Sequence, residues 1–152
     1  MVLIERLETA KPLRISMALG HALPLHASAN GKAILATSAP EVVERLLADP
    51  LPSYTDTTIT DPDALRADLA ATRERGFAVN HGEWRSDVGS IAAAVLISPD
   101  TPIASLSVNI PMSRLTEEAQ AVHGSAVTEA ARTLSARLGY LPGPHQPSAP
   151  NH

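Results

Sequence analysis

The sequence predicts an α+β domain with a largely antiparallel central sheet flanked by helices, and three observations carry that prediction. Strand-like segments cluster as chain neighbours instead of alternating one by one with helices, which disfavours a doubly wound parallel sheet. One of them, residues 88–97, is apolar on both faces, as a strand in the middle of a sheet should be. Helical stretches with recognisable start and stop residues precede and follow that strand cluster.

The elements follow in order. Residues 2–7 read as an opening strand, and after the Lys11-Pro12 break residues 13–17 alternate apolar and polar like a half-buried strand. Gly20-His21 reads as a turn. Ser28 is placed to cap a short helix running to about Ala36, with Ala29, Ala33 and Ala36 on one face. Pro40 opens a second helix with Val42, Val43, Leu46 and Leu47 on one side. Residues 49–60 read as a loop. Asp61 caps the clearest helix, Pro62 takes its first position, Leu65, Leu69 and Thr72 share a face, and Gly76 ends it. A short strand at Phe77-Ala78-Val79 leads to the long one at 88–97. A turn at 98–102 and a strand at 103–109 follow, the latter with Ala104, Leu106 and Val108 on one face and Ser105, Ser107 and Asn109 on the other. A helix over 114–138 should bury Leu115, Ala119, Val122, Ala126, Ala130 and Leu134. Residues 1–140 form one domain in this reading, and the Pro-rich stretch 141–152 is a disordered tail.

Composition narrows the function. Apolar residues make up 44% and charged residues 18% of 152, enough for a folded core, but aromatics are only 3%, so that core rests on Ala, Val, Ile and Leu. The chain has no cysteine, which removes disulfides, thiolate metal sites and Cys nucleophiles. The net charge is −4, and the arginines stand among Asp and Glu, so the segment has no phosphate-gripping patch and is not expected to bind DNA itself. No apolar run approaches the length of a membrane span, and no signal peptide is read, so a cytoplasmic place without membrane contact is the expectation. The histidines lack ligand spacing, so no metal or other cofactor is expected. Ser28 lies near His26, yet no nucleophile elbow surrounds it and no enzyme activity is expected.

Four segments carry a resemblance. The stretch 23–36 (LPLHASANGKAILA) is similar to the opening signature of the effector-binding domain of the IclR family of bacterial transcription regulators. Residues 54–61 (YTDTTITD), 73–79 (RERGFAV) and 104–116 (ASLSVNIPMSRLT) resemble further segments of that domain in the same order and spacing. The resemblance implies a GAF-like fold, a small-molecule effector and self-association into dimers or tetramers. It also implies that DNA is contacted only through an N-terminal winged helix-turn-helix, which this chain lacks.

Carried over position by position, the resemblance implies an effector pocket of Ile15, Leu23, Ala29, Asn30, Gly31, Asn80, Ser90, Ser107 and Asn109. Asn80 stands where the family commonly has an acidic residue and Ser90 where it often has cysteine. Asn109-Ile110-Pro111 departs from a usual Ser-Gly-Pro. The residues themselves point to a small organic acid: the turn at Ala29, Asn30 and Gly31 opens a helix, whose first N–H groups and positive dipole end suit an anion. Structural roles are equally open there, with Ser28 as the cap and Gly31 as a close-packing residue. Arg85 could fork onto a carboxylate, but the expectation places it on the surface.

Overall fold

The computed structural model describes residues 1–7 and 18–140. Its elements run α1 (Ala29–Thr37), α2 (Pro40–Leu47), α3 (Pro62–Arg75), β1 (Ala78–His81), β2 (Val88–Ser98), β3 (Thr101–Pro111), a 3₁₀ turn (Met112–Arg114) and α4 (Glu117–Arg137). The strand expected at 13–17, with Ile15, and the expected tail at 141–152 lie outside the described residues.

The three strands form one antiparallel sheet in the order β1-β2-β3, so the doubly apolar β2 is central, as the sequence predicts. The period of two then sorts every side chain to one face. Ile91, Ala93 and Val95 of β2 face α4, and they join Val79, Ile110, Val127 and Ala131 in the largest core cluster. Their cross-strand partners Val108, Leu106 and Ala104 pack against that same cluster. The opposite face carries Ser90, Ala92 and Ala94 of β2, with Asn109, Ser107 and Ser105 directly across on β3. Here α1 lies on the sheet through Ala29 and Ala33 against Ala78 and Ala92, small residues that bring helix and sheet close. A third cluster, Leu35, Ala36, Leu65 and Leu69, ties α1 to α3 and takes Val43, Leu46 and Leu47 of α2 at its edge.

Helix α3 follows its sequence signals at both ends. Asp61 accepts the Ala64 N–H at 2.8 Å, and Gly76 takes φ +85°, a left-handed stop that suits glycine. Four expectations are corrected. Residues 2–7 form no strand; the opening makes a single antiparallel bridge, Val2 to Ala22, flanked by Leu3–His21 and Leu23–Met1 backbone bonds. The final helix starts later, because Met112–Arg114 makes a 3₁₀ turn first and Thr116 is the side-chain cap, accepting the Ala119 N–H. Its inward face is also rotated: Gly124, Val127, Ala131 and Ser135 are buried, whereas Ala126 and Ala130 are exposed and Val122 is 60% exposed. The physical reason is close approach. A Cβ on Gly124 would stand 2.5 Å from the Phe77 ring, so only glycine fits beneath it. Ser135 Oγ docks the other end by accepting the Leu96 N–H at 2.9 Å while donating to Ala131 O. On α2 the correction is smaller: Val42 is exposed and only Val43, Leu46 and Leu47 turn inward.

Candidate functional site

The polar sheet face, the start of α1 and the β1–β2 loop frame a small pocket with a cavity volume of about 20 Å³, open to solvent on one side. Its lining is Leu23, Ser28, Asn30, Asn80, Trp84, Arg85, Val88, Ser90 and Asn109. Leu23, Asn30, Asn80, Ser90 and Asn109 come together there from the set that the sequence singled out. Ala29 and Gly31 lie behind the wall: Ala29 belongs to the α1–sheet contact, and a Cβ on Gly31 would run into the Leu25 backbone. Ser107 is on the same sheet face, opposite Ala92, but outside the lining. Ile15 lies outside the described residues.

Hydrogen bonds divide the lining polar groups into committed and uncommitted ones. Ser28 Oγ donates to Pro24 O at 2.6 Å and accepts the Gly31 N–H at 3.1 Å, so it is the cap of α1, and the Gly31 N–H is already taken. The expected Gly31 anion contact is therefore replaced by an internal bond. Asn30 Nδ2 donates to Ser105 Oγ at 3.0 Å, closing the pocket between α1 and β3. Asn80 is occupied on both sides, donating to Ala27 O at 2.6 Å and accepting the Glu83 N–H at 2.9 Å. By contrast, the side chains of Ser90 and Asn109 have no hydrogen-bond partner among the described residues. They stand opposite one another on β2 and β3, and Ser90 is buried while Asn109 is open to solvent. Both side chains reach the pocket, where water or a ligand can satisfy them.

The β1–β2 loop supplies the rim. Thr55 and Thr58 hydroxyls donate to the carbonyls of Gly82 and Glu83 at 2.8 and 2.6 Å, and Thr57 donates to His81 O at 3.1 Å. These bonds strap the 49–60 loop to the rim. Beneath it lies a buried ion cluster that the sequence reading missed. Lys32, 1% exposed, places Nζ 2.7 Å from Glu83 Oε1 and 2.9 Å from Asp68 Oδ2. Lys32 and Glu83 are the buried pair, and toward the surface the partly exposed Asp68 is approached by Arg75 at 3.8 Å. A dry ion pair survives only when paired this closely. The signal was present: Lys32 lies three residues beyond Ala29 and four before Ala36, on the inward face of α1.

Trp84 and Val88 were not singled out as lining residues, and Arg85, weighed as a carboxylate partner, was expected on the surface, since nothing local says that the loop folds back over α1. Trp84 packs against His21 in a tilted arrangement with ring centroids 5.4 Å apart. Arg85 is exposed, as expected, and pairs with Asp87, yet it also lines the pocket. Among the described residues no group of three or more His, Asp or Glu side chains is arranged to hold a metal ion, and no helix is long and apolar enough to cross a membrane.

Known proteins share this arrangement. The model of the bacterial transcriptional regulator IclR C-terminal domain matches residues 1–136. The chain is 37% identical over 139 residues to the HTH-type transcriptional repressor AllR of Escherichia coli, covering 91% of this chain and 51% of that protein. A crystal structure assigned as an IclR transcriptional regulator from Silicibacter superimposes with a TM-score of 0.84 at 32% identity, over 96% of this chain and 58% of the other. The crystal structure of an IclR homologue from Microbacterium hydrocarbonoxydans, complexed with 4-hydroxybenzoate, superimposes with a TM-score of 0.73 at 30% identity, over 88% and 55%. The chain thus spans about half the length of the curated relatives it matches.

Proposed function

The chain belongs to the IclR family, whose C-terminal domain it matches, and from that premise we propose that its pocket senses a small organic acid for a transcription regulator. Effector occupancy is read by the packing of α1 and the rim loop on the sheet. Self-association into a dimer or tetramer passes it to DNA-binding heads outside this segment. In this reading the domain catalyses nothing, contacts neither DNA nor membrane, needs no cofactor, and works in the cytoplasm.

One observation carries the proposal: on a sheet whose other face packs an apolar core against α4, Ser90 and Asn109 meet at a pocket with the hydrogen-bonding capacity of their side chains unspent. A solved relative complexed with 4-hydroxybenzoate adds weight to a small acid as the ligand class. Leu23, Trp84 and Val88 would take its apolar body. Ala29 and Gly31 shape the wall from behind, Asn30 and Asn80 hold its corners, and Ser107 extends the same face. An anion near the start of α1 gains about 0.3–1 kcal/mol from the helix dipole, so affinity should be modest, roughly micromolar or weaker.

Calorimetry against small organic acids, 4-hydroxybenzoate among them, tests this. Saturable binding that disappears in Ser90→Leu while the variant melts like the parent supports it. Equal binding by both proteins places the site elsewhere. The second reading is an oligomerisation module with a vestigial pocket. It is favoured by the number of lining groups committed inward, Ser28, Asn30 and Asn80, and would be seen as assembly without any ligand response.

A further inference from the structure

The geometry points to Arg85 as the anchor for the acid group of the ligand, with Asp87 as a built-in stand-in that the incoming carboxylate displaces. The inference rests on the sensing role proposed above and names the residue that would make it selective for acids. Among the residues lining the pocket Arg85 is the one cation. Its guanidinium is forked onto Asp87, with Nη2–Oδ2 at 3.1 Å and Nε–Oδ1 at 3.4 Å. The longer arm makes the fork uneven, and both side chains are exposed, 45% and 68%. Exposed pairs of this kind are weak and readily exchanged.

The backbone under this pair is fixed. Val88 donates its N–H to Arg85 O at 3.0 Å, and Met112 donates its own to Asp87 O at 3.0 Å. The first half of the loop is held by the Thr55, Thr57 and Thr58 hydroxyls and by Lys32 on Glu83. Exchange of partners therefore needs only side-chain rotation. A carboxylate inside the pocket would meet the guanidinium in the same bidentate geometry that Asp87 now occupies, less exposed to water and so more strongly held. Ser90 and Asn109, without partners of their own, can complete its shell. The lysine nearby is unavailable, because Lys32 is closed off by Glu83 and Asp68. Trp84 beside Arg85 offers a flat apolar surface at the pocket mouth, so the class of ligand inferred is a monocarboxylate whose apolar body lies against Trp84.

The chain has one tryptophan, and it lines this pocket, so Trp84 emission reports occupancy directly. Benzoate and phenylacetate, each with its neutral amide, are titrated against the parent, Arg85→Gln and Asp87→Asn, with thermal melts to confirm folding. The parent should prefer acid to amide. Arg85→Gln should lose about tenfold in acid affinity, the value of one charge-assisted hydrogen bond, with amide binding unchanged. Asp87→Asn should tighten the acid, since the competing carboxylate is gone. Equal binding of acid and amide by the parent overturns the anchor, as does acid binding that Arg85→Gln leaves untouched. In both of those cases binding itself persists and sensing stands. Absence of any response from all three proteins removes the anchor and the sensing role together.

Discussion

The two faces of the one sheet are built from opposite chemistry. Toward α4 the strands present Val79, Ile91, Ala93, Val95 and Ile110, packed against Val127 and Ala131. Toward α1 the same strands present Asn80, Ser90, Ser105, Ser107 and Asn109, and the helix packs there through alanines and the Asn30–Ser105 hydrogen bond. Because a strand sends alternate residues to opposite sides, one β2 residue serves stability and the next serves the site. Ile91 and Ser90 are chain neighbours with unrelated jobs. The α1 face recovers part of its rigidity from ions instead of oil, through Lys32, Glu83, Asp68 and Arg75.

Mutations on each side should separate these roles. The largest effect is expected for Lys32→Ala, which leaves the Glu83 and Asp68 carboxylates without their shared cation and should cost about 3–5 kcal/mol in urea unfolding. A loss under about 1 kcal/mol would mean that water already solvates the cluster. Next, Ile91→Ala should cost about 2–5 kcal/mol by opening a cavity in the α4 face, whereas Ser90→Ala one residue away should stay within about 0.5 kcal/mol. Similar losses at both would erase the distinction between the faces. Gly124→Ala should cost about 1–3 kcal/mol through overpacking against Phe77, with no change in ligand response.

The smallest effect is expected at the surface. The Glu44 carboxyl is held below its ordinary value by its hydrogen bonds from Arg66. A carboxyl lowered in this way contributes stability that is full above its ordinary value and is lost as pH falls through the lowered one. The group is fully exposed, so acid titration of Glu44→Gln and the parent should give superimposable unfolding midpoints.

Legibility followed how local each cause is. Helix α3 could be read because Asp61, Pro62 and Gly76 mark its ends within the chain itself. The β3 alternation was equally plain, and it assigned Ser105, Ser107 and Asn109 to one face before any partner was known. The α4 face was misread because its alanines give almost no stripe; what orients the helix is a missing side chain at Gly124 and a hydroxyl at Ser135, both meaningful only against Phe77 and Leu96. At the site, Leu23, Asn30, Asn80, Ser90 and Asn109 followed from family likeness. Trp84 and Arg85 reach the pocket through a loop held by threonines far away in the chain, and no local pattern announces that. The sequence reading also left Gly31 open between an anion contact and close packing. The backbone of Leu25 against it and the bond from Ser28 show the packing role.

Sensing through the polar face is tested most directly by a ligand-induced thermal shift across a series of small organic acids, on the parent and on Asn109→Tyr, whose exposed position tolerates a large side chain. A concentration-dependent rise in melting temperature is expected for the parent and none for the variant, with equal melting points in the absence of acid. A rise of the same size in both proteins would contradict it.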